Sequence, residues 1–173
     1  MGSSDAPVTI VEFTDYQCPY CRVFERTTFA EIRKKYVDTG KVRFVVRDFP
    51  LVEIHADAMQ AAEAAHCAGD QENFWPMHDA IFSDPGKLVK KMLIDHAEAL
   101  NLDVGTFRSC LESGKHSLEI RNDIQLASSL QINGTPSFLI GKTIGEEISG
   151  AILIGAQPFS VFAAKLGDVG IEP

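Results

Sequence analysis

Cysteine is scarce in this chain. Four in 173 residues are too few for a disulfide scaffold and suit two pairs with separate duties. Long apolar runs are missing too. None approaches the roughly 20 residues of a membrane span, so a soluble chain is expected. Basic residues are outnumbered, 16 against 24 acidic ones for a formal charge of -8, and with no basic stripe nucleic acid is excluded as a partner. Internal repeats and low-complexity segments are absent. What remains is an ordinary globular composition, 45% hydrophobic and 23% charged, on a chain long enough to bury a real core. The opening Met1-Gly2-Ser3-Ser4 lacks the charged start and apolar stretch of a signal peptide. Residues 1–5 are therefore expected to be a flexible remnant of recombinant expression, any natural signal or anchor having been removed.

The rest of the chain reads as strands at both ends with helices between. Val8 to Phe13 is β-branched and apolar with one embedded acid, Glu12, which predicts a buried strand. After the run from Asp15 to Cys21, Phe24, Thr28, Ile32 and Tyr36 recur four apart and Gly40 ends the helix they predict. Lys41 to Val46 is a second strand, closed by Phe49-Pro50, and a βαβ unit implies a parallel pair. From His55 to about Gln131 the pattern is helix after helix. Ala58–Ala68 and Phe74–Phe82 are two, with Phe74 and Trp75 expected as core anchors. Leu88, Met92, His96 and Leu100 share a predicted face, as do Phe107, Cys110 and Leu111, and Ile120, Ile124, Ala127 and Leu130. Breaks fall at Gly69, Asp84-Pro85-Gly86, Asp103 and Gly114. Ser137–Ile140 and Ala151–Ile154 predict a hairpin whose polar connection, Gly141 to Glu147, is too long for a tight turn. Gln157-Pro158 opens a last helix with Phe159, Phe162, Ala163 and Leu166 facing inward.

The chemistry is concentrated at Cys18 and Cys21. Two cysteines separated by two residues, after a strand and at the start of a helix, carry a redox mechanism. Unpaired helix N–H groups and the positive end of the macrodipole stabilise the first thiolate. A lowered pKa makes Cys18 the attacking nucleophile and a good leaving group. Cys21, about one turn later, can close a disulfide or resolve a mixed one. Pro19 pre-sets the first turn and has no N–H to leave unpaired, and Tyr20 tunes the pair. The rival reading of this motif is half of a zinc site. Zinc needs four ligands, and Cys67 and Cys110 stand alone, far from a second such pair; His66 beside Cys67 could complete only a contrived site. A purely structural bridge is disfavoured as well, because so short a loop restricts the unfolded chain little.

The segment Glu12-Phe13-Thr14-Asp15-Tyr16-Gln17-Cys18-Pro19-Tyr20-Cys21 resembles the active-site segment of DsbA-type oxidoreductases. Gly134-Thr135-Pro136-Ser137-Phe138 resembles that family's second signature, the loop with a cis-proline opposite the cysteines. Between them, Phe49-Pro50-Leu51, His55, Ala58, Ala61-Ala62 and Cys67-Ala68 through Phe74-Trp75 resemble the helical block of a subgroup common in bacterial secretory compartments. The likeness runs from about Ala6 to Leu166. It implies an α/β thioredoxin fold, βαβ…ββα in one mixed sheet, with an inserted helical domain. Residues 6–54 and 132–168 would form the thioredoxin-like part, and 55–131 the helical cap. Cys18 would be the exposed nucleophile, Cys21 the buried resolving thiol, and Thr135-Pro136 the cis peptide where a substrate strand docks. Glu12 would be the buried acid beneath the resolving cysteine, with a raised pKa and a part in moving its proton. The type member has His where Tyr20 stands, and Cys-Pro-Tyr-Cys is also typical of glutaredoxins, which are reductants.

For Cys67 and Cys110 two readings stand: buried inert thiols, or a structural bridge stapling the helical block, which an oxidising compartment favours. The five histidines show no metal-ligand spacing with acids, and neither metal nor cofactor is expected. His78-Asp79 reads as a helix-surface or core-edge pair. Asp15 either caps the active-site turn or faces substrate. The function expected is a monomeric extracytoplasmic enzyme that donates the Cys18–Cys21 disulfide to reduced or unfolded proteins. The resemblance adds a membrane partner of the DsbB or vitamin K epoxide reductase-like kind to reoxidise it. A reductase or isomerase of the same fold is the first rival, and a non-catalytic chaperone-like module the second.

Overall fold

The β-branched and apolar run near the start forms strand β1 (Val8–Thr14), and every one of its residues is buried. A strand covered on both faces belongs inside a sheet. In the computed structural model, which describes residues 1–84, 88–145 and 147–172, β1 lies second in a mixed four-stranded sheet. With β2 (Val42–Asp48), β3 (Ser137–Ile144) and β4 (Glu147–Ile154) the order is β2-β1-β3-β4. β1 and β3 are antiparallel, in a register that sets Val8 opposite Lys142 and Phe13 opposite Ser137. At the chain start, the Met1 amine donates to Phe44 O at 2.8 Å and Phe44 N–H donates to Met1 O at 2.9 Å.

The last two strands correct the expected hairpin. Most of the polar stretch taken for a long connection is strand: β3 runs on to Ile144 and β4 begins at Glu147, and these two residues pair. Gly141 and Gly150 face each other across the ladder, and a Cβ on either would run into Ser149 O or Ile140 O. Glycine thus marks close backbone approach here and not a loop. β4 is an exposed edge strand, where polar residues carry no burial cost.

Two compact units make up the chain, residues 1–14, 19–47 and 132–173 in one, and 15–18 and 48–131 in the other. In the first, the helix between β1 and β2 runs as α1 (Pro19–Phe24), a π-helical turn (Glu25–Phe29), α2 (Ala30–Ile32) and a second π-turn (Arg33–Val37). Phe24, Thr28, Ile32 and Tyr36 are all buried. A strict four-residue repeat drifts by about 40° per step on an α-helix, and the wider π-turns take up that drift. Phe24 centres an aromatic core, with ring centroids 4.6 Å from Phe138, 5.5 Å from Phe162 and 6.4 Å from Phe44. Phe162 and Leu166 of α8 (Phe159–Asp168) are buried, while Phe159 lies half-buried against Tyr36.

The second unit holds five helices among the described residues: α3 (Ala58–Gly69), α4 (Phe74–Ser83), α5 (Lys90–Ala99), α6 (Val104–Ser113) and α7 (Ser117–Ser129). Alanines at 58, 61, 62, 64, 65 and 68 bury most of α3 and let α4, α5, α6 and α7 approach it. Asp103 caps α6 by accepting Thr106 N–H at 2.7 Å, and Gly114 ends it in the left-handed region. Three expectations need correction. α5 begins at Lys90 and buries Leu93 and Ala97, so Met92 and His96 flank the buried stripe. In α4 the buried face is Met77, His78, Ile81 and Phe82, which leaves Phe74 and Trp75 half-buried. His78 is wholly buried and lies off the helix surface, while Asp79 beside it is exposed. The break expected at Asp84-Pro85-Gly86 ends α4 at Ser83, and its Pro85 and Gly86 lie outside the described residues. No helix among the described residues is long and apolar enough to cross a membrane.

Candidate active site

The turn after β1 is built by Asp15. Its backbone O accepts Cys18 N–H at 3.0 Å, closing a four-residue turn, and its Oδ1 accepts Gln17 N–H at 2.7 Å. Aspartate is favoured at the head of such a turn because its side chain can take the N–H two residues on. The carboxylate does more than cap. It is buried, and its Oδ2 also accepts Leu51 N–H at 2.8 Å and lies 2.8 Å from His55 Nδ1. Gln17 and Asp57 are tied in both directions, Gln17 Nε2 donating to Asp57 Oδ2 at 3.3 Å and Asp57 N–H to Gln17 Oε1 at 2.6 Å. Tyr16 is buried with its hydroxyl 3.1 Å from His78 Nδ1 and its ring 4.8 Å from that of Phe82. Three successive residues before Cys18 are thus anchored.

Cys18 ends this turn and α1 begins at Pro19, so the first cysteine stands at a helix N-terminus and Cys21 lies within the first turn. Both are thiols. Cys18 is 4% exposed and Cys21 0%. The exposed nucleophile that the resemblance implies is therefore corrected to a nearly covered one. Tyr20 is 66% exposed, with Pro19 exposed beside it. Glu12 is buried, in register with Phe138 of β3. The Thr135–Pro136 peptide is cis and leads directly into β3. Because β1 and β3 are antiparallel with Phe13 opposite Ser137, the end of β1 and the start of β3 adjoin. The residues that follow β1 and the Thr135-Pro136 dipeptide leave the same end of the sheet. Pro136 O accepts Gly155 N–H at 2.8 Å, and Ser137 Oγ–H donates to Gly134 O at 2.7 Å, fixing the loop on both sides.

The thioredoxin family profile matches residues 1–151. The chain belongs to the thioredoxin family. It is 37% identical over 166 residues to the Na(+)/H(+) antiporter NhaA 1 of Salinispora arenicola, covering 96% of this chain but only 24% of that protein. A Bacillus anthracis protein named "Probable disulfide bond formation protein D" is 31% identical over 151 residues, 83% of this chain and 70% of its own length. Among solved structures, alpha-DsbA1 of Wolbachia pipientis superposes with a TM-score of 0.85 at 27% identity, covering 98% of this chain and 88% of that one. Within the thioredoxin family the chain is therefore DsbA-like.

Away from Cys18 and Cys21, Cys67 of α3 and Cys110 of α6 are joined in a disulfide with Cα atoms 5.8 Å apart. The histidines, to which sequence assigned nothing, are all engaged. Besides His55 and His78, His66 Nε2 lies 2.6 Å from Asp48 Oδ2, His96 Nε2 3.2 Å from Asp84 Oδ2 and His116 Nε2 3.0 Å from Asp70 Oδ2. Burial pushes the His66 pKa down, but the bond to Asp48 and the charges of Asp48, Glu119 and Asp123 outweigh it and hold the ring above its ordinary value. No sequence signal marks these pairs, since the partners lie 12 to 46 residues apart.

Proposed function

We propose that this chain is a DsbA-type thiol–disulfide oxidoreductase that acts outside the cytoplasm and passes a disulfide from Cys18 and Cys21 to the cysteines of folding proteins. The observation that carries the reading is the placing of a Cys-x-x-Cys pair at a helix start, on the same end of the sheet as Thr135-Pro136. In the oxidised enzyme a substrate thiolate attacks Cys18 Sγ. The Cys18–Cys21 bond breaks, and the Cys21 sulfur takes the electron pair and then a proton. A second substrate thiolate attacks the substrate sulfur of the mixed disulfide and releases the Cys18 thiolate. The substrate has lost two electrons and the enzyme has gained them. The helix start favours Cys18 as that leaving thiolate. Glu12, buried in β1, is the group proposed to move the Cys21 proton, and the Thr135 backbone is the docking edge for an extended substrate.

The Cys67–Cys110 bridge supports an oxidising compartment, where such bonds persist. In this reading residues 6–54 and 132–168 form the redox domain of a monomer and 55–131 its helical cap. A quinone-linked membrane protein of the DsbB or vitamin K epoxide reductase-like kind would reoxidise the pair. Equilibration of Cys18/Cys21 with glutathione buffers, read by thiol alkylation and mass spectrometry, tests the direction. The expected potential is more oxidising than that of thioredoxin, about -270 mV. A value at or below it would move the assignment to a reductase. An insulin-reduction assay with a Cys18→Ser control tests catalysis itself, and activity that persists in the variant would overturn the assignment of Cys18.

A further inference from the structure

Histidine and carboxylate spacing along the chain shows no metal pattern, yet folding gathers three donors in the helical unit. His66 lies on α3, His116 immediately precedes α7, and Glu119 lies in the first turn of α7. One donor atom from each falls within 4.8 Å of the other two. Glu119 Oε2 is 3.4 Å from His116 Nδ1 and 3.7 Å from His66 Nδ1. In a tetrahedral zinc shell with bonds of about 2.0–2.1 Å, two ligand atoms stand roughly 3.3–3.4 Å apart. Both histidine-to-glutamate distances are close to that spacing.

We propose that His66 Nδ1, His116 Nδ1 and Glu119 Oε2 form a binding site for a divalent transition-metal ion of the zinc class. The far side of each ring supports it. His66 Nε2 is 2.6 Å from Asp48 Oδ2 and His116 Nε2 is 3.0 Å from Asp70 Oδ2. A ring that donates Nε2–H to a carboxylate keeps its lone pair on Nδ1, and Nδ1 is the nitrogen that faces Glu119 in both cases. Carboxylates placed in this way orient a metal-binding imidazole and make it a stronger ligand. The two rings stack with centroids 5.2 Å apart. Their side chains are 17% and 15% exposed, and that of Glu119 is 51%. The ring pair is shielded, while the carboxylate side stays open for entry and for water in a fourth position. Two imidazoles and one carboxylate suit zinc and its neighbours, whereas calcium and magnesium take oxygen ligands throughout. Thiolate is outside the donor set, because the adjacent Cys67 is bonded to Cys110. The ion would clamp α3 to the start of α7 and stabilise the folded helical unit by binding it in preference to the unfolded chain.

The test uses the full chain in a Cys18→Ser/Cys21→Ser background, so that the redox pair cannot hold metal. Calorimetric titration with zinc chloride should show one ion per chain and a raised Tm. Cobalt chloride should give visible bands of a low-coordinate ion without the charge-transfer absorption of thiolate ligands. Glu119→Gln and His116→Ala should each abolish saturable binding, and Asp70→Asn should weaken it roughly ten- to a hundredfold. His96→Ala, at a histidine paired with Asp84 on another helix, should leave it unchanged. Circular dichroism checks the fold, and the half-exposed Glu119 keeps the test available if His116→Ala does not fold. Absence of stoichiometric binding, or binding that survives Glu119→Gln unchanged, overturns the proposal.

Discussion

Breaking the Cys67–Cys110 bridge measures how far one covalent link sets the stability of the helical unit. The two half-cystines are 43 residues apart, so the bridge closes a loop that contains α4, α5 and the larger part of α6. In the chain-entropy account a cross-link over that length takes about 13 cal/mol/K from the unfolded ensemble, which is about 4 kcal/mol at 25 °C. Unfolding entropy is about 2.1 cal/mol/K per residue, so for a chain of 173 residues that melts as one unit, losing the link should lower Tm by about 11 °C. If the helical unit melts separately, fewer residues share the loss and the fall is larger. The experiment is differential scanning calorimetry of the Cys18→Ser/Cys21→Ser protein, bridged and then reduced, so that no other thiol pair changes state. A Cys67→Ala/Cys110→Ala variant in the same background separates the link from the sulfur atoms packed beside it, since both cysteines are buried. A fall of less than about 3 °C on reduction would refute the entropic reasoning. It would mean that the reduced unfolded chain keeps residual structure that already restricts it, so that the link has less entropy to remove.

Four further outcomes are expected. Iodoacetamide should modify Cys18 well before Cys21, and should still do so near pH 7, where an ordinary thiol with a pKa of about 8.5 is mostly protonated; equal rates at the two sites would contradict the assigned roles. Tyr20 is 66% exposed, so Tyr20→His should cost little packing, place a cation beside the Cys18 thiolate and shift the glutathione equilibrium toward the reduced pair; an unchanged equilibrium would remove Tyr20 as a tuning residue. Asp15→Ala should leave the Gln17 and Leu51 N–H groups without their acceptor, at about 1–3 kcal/mol each in urea unfolding, and should change the alkylation rate of Cys18; loss of stability with no change in that rate would separate the turn from the thiol. Asp103 is held below its ordinary 3.8 mainly by the backbone N–H of Thr106, so its contribution is present above the unfolded value and is lost as pH falls through the lower folded one; Asp103→Ala should lower Tm at pH 7, with the gap to wild type closing below about pH 3.9, and a gap that persists at low pH would show that charge plays no part in the cap.

What the sequence made legible was whatever it expresses locally. β1 and β2 could be read because β-branched and apolar residues cluster in them, and Phe24, Thr28, Ile32 and Tyr36 because their repeat is close to helical. Illegibility began where one residue type serves two purposes. Glycine ordinarily breaks a strand, but at 141 and 150 it allows two strands to close on each other, so a continuous pair read as a loop. On α5, Met92 and Leu93 are adjacent and both apolar, and only packing decides that Leu93 and Ala97 face the core.

The site divides in the same way. Cys18 and Cys21 were singled out by their short spacing and Thr135-Pro136 by resemblance to a known family, and the structure sets both cysteines at a helix start and makes the Thr135–Pro136 peptide cis. The residues that hold Cys18 in place could not, because each works through a partner distant in sequence. Asp15 meets His55 across 40 residues, Gln17 meets Asp57 across 40, and Tyr16 meets His78 across 62. These contacts fix one loop of a redox motif to residues that have no redox chemistry of their own. Position on a helix start can favour a thiolate only while the thiol stays at the end of that helix, and the turn from Asp15 to Cys18 is what keeps it there. The proposed reactive pair is thus a local property of the sequence. The position of its first thiol is not, since the turn that holds it rests on a buried carboxylate whose three hydrogen bonds to Gln17, Leu51 and His55 exist only once the chain has folded.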